Sequence, residues 1–332
     1  MQAPETYPNL DNEAELQLNE DGSLRHLLTL KGIDKALLTE LLDDAERFIG
    51  PAGATAPRSH TLEGHTVANL FFEPSTRTRA SFDLAGKRLG ADVLNLDVNT
   101  SSRKKGESIL DTIYTLQAMQ VDIMVVRDAG PGVPAFIARH VNDRVSILNA
   151  GEADVSHPTQ GLLDLLTIRQ HKGDFENLTV AIVGDIRHSR VARSAAQGLH
   201  IMGVGELRLI SPPPLAPSAD EMPYAKIVDN LDDGLRDADV VMALRIQRER
   251  IGNLDGIPSI DEYFANYGIS TERMRKAAPD AIVMHPGPMN RGIEIESILA
   301  DSPASVITQQ VTNGVAVRMA VLERVSKTMM TH

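Results

Sequence analysis

The chain has 332 residues, 42% of them hydrophobic, with a formal net charge of −12 and not one cysteine. That length suits two α/β domains, each with its own core. The acidic balance disfavours nucleic acid and anionic membrane as partners, no apolar run reaches membrane-spanning length, and the missing cysteines exclude disulfides, a thiolate nucleophile and a Cys-ligated metal.

Residues 1–23 carry Glu5, Asp11, Glu13, Glu15, Glu20 and Asp21, with no Lys or Arg before Arg25. Without strong periodicity this acidic N-terminal extension (1–24) reads as a solvated tail, or, through Leu10, Leu16 and Leu18, as an arm that docks on a partner subunit. It has neither the basic nor the apolar segment of a secretory leader, so the expected location is cytoplasmic.

From Leu27 onward helical and buried-strand patterns alternate. The apolar run 67–72 is a buried parallel strand, followed by strands at 93–96, 122–126 and 145–149 and by a helix over 108–120 with Ile109, Ile113, Leu116 and Gln120 on one face. A second series of strands lies at 179–184, 206–210, 240–244 and 281–284. The amphipathic stretch 162–170 bridges the two series, and a last helix over 315–325 carries Val317, Val321, Leu322 and Val325 on one side. Ser211 and three prolines after it form a stiff loop inside the second domain. The alternation predicts an α/β chain of two domains, each a mostly parallel sheet with helices on both faces, joined by interdomain helices. In such sheets ligands sit beyond the carboxyl ends of the strands, and the polar clusters of this chain all follow strand ends.

The densest cluster is Glu73-Pro74-Ser75-Thr76-Arg77-Thr78-Arg79, directly after the first strand. It opens a helix with Phe82, Ala85 and Leu89 on its apolar face, stopped by Gly90. A helix start presents unpaired N–H groups and the positive end of the dipole. Capping needs one hydroxyl, whereas Ser75, Thr76, Arg77 and Thr78 supply the donors and guanidinium charge of a phosphate cradle. The loop 99–108, with Ser101, Arg103, Lys104 and Lys105, lacks the glycines of a Walker motif. It is a solvated surface loop or a basic lid over a phosphate site. Arg127 follows the strand at 122–126 and points to the ligand crevice or to an ion pair, such as one through Asp128. His157-Pro158-Thr159-Gln160 starts a helix. Its histidine is structural, or donates to a carbonyl oxygen or shuttles a proton, and Thr159 is equally a cap. No second ligand at metal spacing accompanies that histidine.

In the second half, Gly184-Asp185-Ile186-Arg187-His188-Ser189-Arg190 follows a strand but lacks G-x-G-x-x-G, which disfavours a dinucleotide. Arg245-Ile246-Gln247 and His285-Pro286-Gly287-Pro288 follow two further strands. Arginines at separate strand ends suit a substrate with two carboxylates, each held by a bidentate fork. Salt bridges between helices account for either arginine singly but not for the arrangement.

The ordered series S-T-R-T-R, S-x-x-x-K-G-E, H-P-T-Q, R-x-Q and H-P-x-P resembles the aspartate/ornithine carbamoyltransferase family over residues 25–332, nearest to its aspartate-using catalytic chains. The resemblance implies carbamoyl transfer from carbamoyl phosphate to L-aspartate, an early step of pyrimidine biosynthesis, without cofactor or metal. It implies a carbamoyl phosphate domain over 25–156 plus 312–332 and an aspartate domain over 157–311. Residue by residue, it assigns Ser75, Thr76, Arg77 and Thr78 to the phosphate, and Thr78, Arg127 and His157 to the carbonyl oxygen. Gln160 and the carbonyls of Pro286 and Gly287 would hold the carbamoyl NH₂, while Arg190, Arg245 and Gln247 would grip the aspartate carboxylates. Ser101 and Lys105 would enter a neighbouring subunit's site, Lys105 reaching both substrates, which implies a homotrimer with shared active sites. Larger assemblies with regulatory or dihydroorotase-like chains accompany such trimers in the family. Fixed donors would stabilise the charge developing on the carbonyl oxygen, and the leaving phosphate can take the amine's proton, so no protein base is assigned.

Gly287 departs from the leucine common in better-known relatives, which implies looser packing about the carbamoyl group. Ornithine enzymes typically carry His-Cys-Leu-Pro at that segment, unlike this cysteine-free chain, and a cationic acceptor would need an acidic partner. A silent, assembly-only subunit should have lost members of the constellation, and here every matched position is filled.

Overall fold

Long buried apolar runs at 67–71 and 123–126 leave their strands no face for solvent, and the chain meets that demand with parallel sheets covered by helices. The computed structural model describes residues 13–51, 55–96, 108–247 and 256–329. It divides into a first unit, Met1–Leu162 with Thr312–His332, and a second, Leu163–Val311.

The first unit is built from α1 (Glu13–Gln17), α2 (Lys35–Glu46), β1 (Thr66–Phe71), α3 (Thr76–Arg88), β2 (Asp92–Leu96), α4 (Ile109–Ala118), β3 (Ile123–Asp128), α5 (Val133–Ala138) and β4 (Ser146–Glu152). Its sheet has the order β2-β1-β3-β4, parallel throughout, so β1 and β3 are central and lose all but one residue's access to water. Helix α6 (Pro158–Lys172) runs on into the second unit, which contains β5 (Thr179–Val183), α7 (Arg190–Met202), β6 (Glu206–Ile210), β7 (Lys226–Val228), α8 (Leu231–Leu235), β8 (Val240–Ala243), α9 (Ile260–Tyr267), β9 (Ile282–Met284) and α10 (Ser297–Ala300). The second sheet, β7-β6-β5-β8-β9, is again all parallel. The final helix α11 (Ile307–Ser326) begins in the second unit and continues into the first. The two-domain α/β architecture is therefore the expected one.

Three details differ from the sequence reading. Strand β7 was not anticipated; it is three residues long, lies at a sheet edge and is largely exposed. Helix α11 starts at Ile307 rather than 315, because Gln310 is buried by hydrogen bonds instead of apolar contact: it donates to Asp164 at 2.8 Å and accepts the His285 N–H at 2.8 Å.

The third concerns the acidic N-terminal segment. From residue 13 it folds onto its own unit rather than standing off as a solvated tail. Fully buried Gln17 accepts the N–H groups of Leu28 and Thr29 at 2.7 and 2.8 Å and donates to the Lys31 carbonyl. Leu16 packs against the core beside β1 and β3. Residues after it close the exposed edge of β4: Leu27 donates to Ile147, the Asn149 N–H donates to Leu27, and the ring Nδ1 of buried His26 accepts the Ile147 N–H at 2.9 Å. Covering an edge strand removes a template for intermolecular pairing. Leu10 lies outside the described residues.

Helix α11 is tied to α2 within the first unit. Arg324 pairs with Glu40 and Asp44, Arg47 reaches Glu323 at 2.7 Å, and the Arg318 guanidinium stands 5.0 Å from the Phe82 ring centre on α3.

Candidate active site

In the first unit the polar cluster grows out of the β1–β3 ladder. Phe71 is registered with Arg127, and the next N–H, of Phe72, donates to the Arg127 carbonyl at 2.8 Å. Glu73 thereby comes alongside Arg127 and accepts from its Nη2 at 2.6 Å, while Nη1 donates to the Ala150 carbonyl at 3.2 Å. Arg127 thus forms an ion pair with Glu73, and the Asp128 carboxylate takes the Gly130 N–H. Arg127 is 9% exposed, so the pair fixes a guanidinium in a poorly hydrated place and sets its direction.

Pro74 then turns the chain, and α3 starts at Thr76 with Ser75 at its N-cap. The Ser75 side chain makes no capping hydrogen bond. Its hydroxyl and the first-turn N–H groups of α3 form the donor set a bound anion would use. Thr76 and Arg77 are exposed, whereas Thr78, in the same turn, is buried.

The histidine segment is positioned by a tight loop after β4. Glu152 and Ser156 exchange backbone hydrogen bonds, with Ala153 at φ +41° between them. The buried Glu152 carboxylate accepts the Gly132 N–H at 2.5 Å and the Asn149 amide at 3.0 Å, fastening this loop to the start of α5. His157 precedes Pro158, the first residue of α6, and its carbonyl accepts the Gln160 N–H at 2.9 Å. His157, Thr159 and Gln160 are all buried. Thr78 therefore follows the carboxyl end of β1, His157 and Gln160 follow that of β4, and Arg127, expected after its strand, is instead the last residue but one of β3 between them, because the β1–β3 ladder extends to it. Ser101 and Lys105 lie outside the described residues.

In the second unit the corresponding ends are those of β5, β8 and β9. Gly184 leaves β5 at φ +141°, and a Cβ there would overlap the Leu244 carbonyl, so only glycine lets the β5 and β8 ends approach this closely. The next residue, Asp185, is fully buried. Its Oδ1 accepts from the His188 N–H at 3.2 Å and the His188 ring Nδ1 at 2.9 Å, and its Oδ2 from the Gln247 N–H at 3.3 Å. Gln247 returns a bond from Nε2 to the His188 carbonyl at 3.1 Å. Asp185 thus binds together the loop that leads to Arg190 and the loop that carries Arg245 and Gln247. Ser189 caps α7 through the Ala192 N–H at 3.1 Å, which places Arg190, itself buried, at the first helical position. Arg245 and Gln247 are half-buried.

The segment after β9 is held by buried groups as well. The Gly287 N–H donates to His285 Nδ1 at 2.8 Å, so the ring proton is on Nε2 and is donated to Glu294 at 3.1 Å. His285 is committed to shaping the loop. Gly287 stands at φ +67°, where glycine is favoured. Burial pushes the Tyr263 phenol well above its ordinary pKa, with the Glu294 and Asp185 carboxylates adding to the effect. Sequence reasoning missed Glu73, Asp185 and Glu294, whose partners become visible only in the fold. Asp185 had one local signal, an acid directly after the glycine that ends a buried strand.

Two all-parallel α/β units, the first with hydroxyls and arginines at the start of α3 and the second with arginines after strand ends, fit a carbamoyltransferase. The chain belongs to the aspartate/ornithine carbamoyltransferase family: residues 25–170 match the family's carbamoyl phosphate-binding domain and residues 176–325 its aspartate/ornithine-binding domain. Among solved structures, the catalytic subunit of M. jannaschii aspartate transcarbamoylase is 33% identical, covering 92% of this chain and 98% of its own, at a TM-score of 0.78. Trypanosoma cruzi aspartate transcarbamoylase, in complex with carbamoyl phosphate and aspartate, is 30% identical over 91% of this chain and 96% of its own, with a TM-score of 0.79. Ornithine carbamoyltransferase from Thermus thermophilus has the same fold (TM-score 0.80, 92% of this chain and 99% of its own) at 24% identity.

Proposed function

We propose that the chain transfers the carbamoyl group of carbamoyl phosphate to the amine of L-aspartate, giving N-carbamoyl-L-aspartate and phosphate. The observation that carries the choice of aspartate is the acceptor-side electrostatics. Arg190 and Arg245 follow neighbouring strand ends, while the acid of that loop, Asp185, is fully buried and already takes bonds from His188 and Gln247. Such an arrangement suits a dicarboxylate, and Asp185, being buried, offers no exposed carboxylate to the cationic side chain of ornithine. The complex of the T. cruzi enzyme with carbamoyl phosphate and aspartate supports the same reading.

In this reading Ser75, Thr76, Arg77 and Thr78 hold the phosphate. Thr78, Arg127 and His157 donate to the carbonyl oxygen as charge develops on it, and loss of one such donor typically lowers the rate about a hundredfold or more. The Glu73 bond serves that role by fixing the direction of the Arg127 guanidinium. Gln160 with the Pro286 and Gly287 carbonyls holds the carbamoyl NH₂; Arg190, Arg245 and Gln247 hold the acceptor carboxylates. Attack by the amine forms a tetrahedral intermediate that expels phosphate. Ser101 and Lys105 complete a neighbouring subunit's site in a homotrimer, which can assemble further with regulatory or dihydroorotase-like chains. The step belongs to pyrimidine biosynthesis in the cytoplasm.

The test is ureido product formation by the purified chain with L-aspartate or L-ornithine as acceptor. Product with aspartate alone is expected. Product with ornithine alone overturns the choice of acceptor, and no product with either overturns the activity of the isolated chain.

A further inference from the structure

Gln310 has no part in the functional reading above, yet it holds the backbone on which that reading relies. Strand β9 is the outer strand of its sheet, and its alternate residues turn their N–H groups away from β8. At Val283 that outer edge is met by backbone: the Val283 N–H donates to the Ala304 carbonyl at 2.8 Å, and the Val283 carbonyl accepts from Val306 at 3.0 Å. Two residues on, the His285 N–H meets a side chain instead, Oε1 of Gln310 at 2.8 Å. The Gln310 amide nitrogen donates to Oδ1 of Asp164 at 2.8 Å, which settles which end of the amide faces His285. From His285 the bonds continue into the loop. Its Nδ1 takes the Gly287 N–H, and its Nε2 donates to Glu294, which also takes the Asn290 N–H at 2.5 Å. Asp164, His285, Glu294 and Gln310 are each no more than 2% exposed, so water does not compete for these bonds. Pro286 and Gly287 themselves are half-buried. Gly287 has no side chain to wedge it, so the direction of its carbonyl depends on how the backbone on either side is held. Gln310 holds it on the strand side and Glu294 on the far side.

From this geometry we infer that Gln310 is a positioning residue for the carbamoyl group and thereby sets the choice of acyl phosphate. The inference rests on the carbamoyl-transfer reading, in which the Pro286 and Gly287 carbonyls accept from the carbamoyl NH₂. Acetyl phosphate has the same phosphate and the same carbonyl oxygen, with a methyl group in place of the NH₂. A methyl group cannot donate, so in a rigid loop it leaves two carbonyl oxygens without partners, and the analogue is rejected. With Gln310 on the His285 N–H the loop keeps that demand. Without it the two carbonyls turn toward other donors or water, and amide and methyl are told apart less well.

Wild-type turnover of carbamoyl phosphate with L-aspartate is measured first; its absence overturns the carbamoyl-transfer reading and this inference with it. Calorimetry then gives the Kd of carbamoyl phosphate and of acetyl phosphate for the wild type and for Gln310→Met, which keeps the length and bulk of the side chain and removes both hydrogen bonds. In the variant the carbamoyl phosphate Kd should rise about tenfold or more while that of acetyl phosphate changes by less than about twofold, so the preference collapses. A wild type that binds both ligands equally, a variant that weakens both alike, or a preference left at its wild-type value overturns the inference. A residue that only stabilises the fold would act on the shared phosphate grip and so on both ligands together. Should Gln310→Met not fold, Gln310→Asn keeps an amide but draws it back from His285 by one methylene; the same two constants are read, with the same expectation and the same refuting results.

Discussion

Acidification should loosen the first unit at one identifiable residue. His26 is 1% exposed and accepts the Ile147 N–H on Nδ1, a bond open only to the neutral ring. Burial, with the Arg25 charge as a lesser cause, lowers its pKa from 6.5 to about 3. Because the folded value lies below the unfolded one, stability is complete above pH 6.5 and drains away as pH falls toward 3, where the unfolded chain holds a proton that the folded chain refuses. At pH 5 the unfolded histidine is almost wholly protonated, and linkage gives a loss of about 2 kcal/mol relative to pH 8. For a unit of this size that corresponds to a fall of roughly 4–8 °C in Tm. The assay is thermal unfolding at pH 8, 6.5 and 5 for the wild type and for His26→Asn, in which the amide oxygen replaces Nδ1 as acceptor and nothing titrates. The variant should be less stable at pH 8, from lost ring packing, and the gap should narrow or reverse by pH 5. Carboxylates elsewhere affect both proteins alike and cancel in the difference. A gap that stays constant across this range would refute the reasoning.

Gly184→Ala should cost about 3 kcal/mol or more, seen as a large drop in Tm, since the new Cβ overlaps the Leu244 carbonyl at a φ that side chains rarely adopt. Arg77→Ala should abolish carbamoyl phosphate binding in calorimetry while circular dichroism stays native; retained turnover would remove Arg77 from the cradle. Mixing inactive Lys105→Ala chains with inactive Arg77→Ala chains should restore part of the activity, and no recovery after verified subunit exchange would count against shared sites. Arg190→Lys should raise the KM for aspartate at least about tenfold with little change in the KM for carbamoyl phosphate, because a single ammonium cannot reproduce a bidentate fork.

How far the sequence foretold this structure depended on whether a residue acts through local pattern or through a distant partner. Strands β1, β3 and β8 were legible because largely apolar runs have no alternative to burial between helices. The Ser75–Thr78 donors were legible because a strand end and a helix start fall next to each other in the chain. Strand β7 escaped because Lys226, Ile227 and Val228 pair only at an exposed edge, where hydrophobicity leaves no imprint. The clamp at Gln17 escaped for a related reason: a glutamine carries no periodic signal, and its value lies in backbone groups at Leu28, Thr29 and Lys31 that happen to lack partners of their own.

The buried carboxylates form the part of the site that composition conceals. Glu73 meets Arg127 across 54 positions and Asp185 meets Gln247 across 62, so neither acid can be told from a surface acid by its neighbours in sequence. Their presence in a site for anionic substrates is not a contradiction. An isolated buried guanidinium is costly, and an unpaired one would turn toward any available oxygen. Glu73 offsets that cost from one side and the Ala150 carbonyl from another, leaving Arg127 a donor of fixed direction rather than a diffuse positive charge. In the second unit Asp185 anchors the loops of His188 and Gln247, which lead to Arg190 and carry Arg245. In the proposed site, attraction of the anions would fall to the exposed Arg77 and orientation to the buried members, a division of labour that matches their burial.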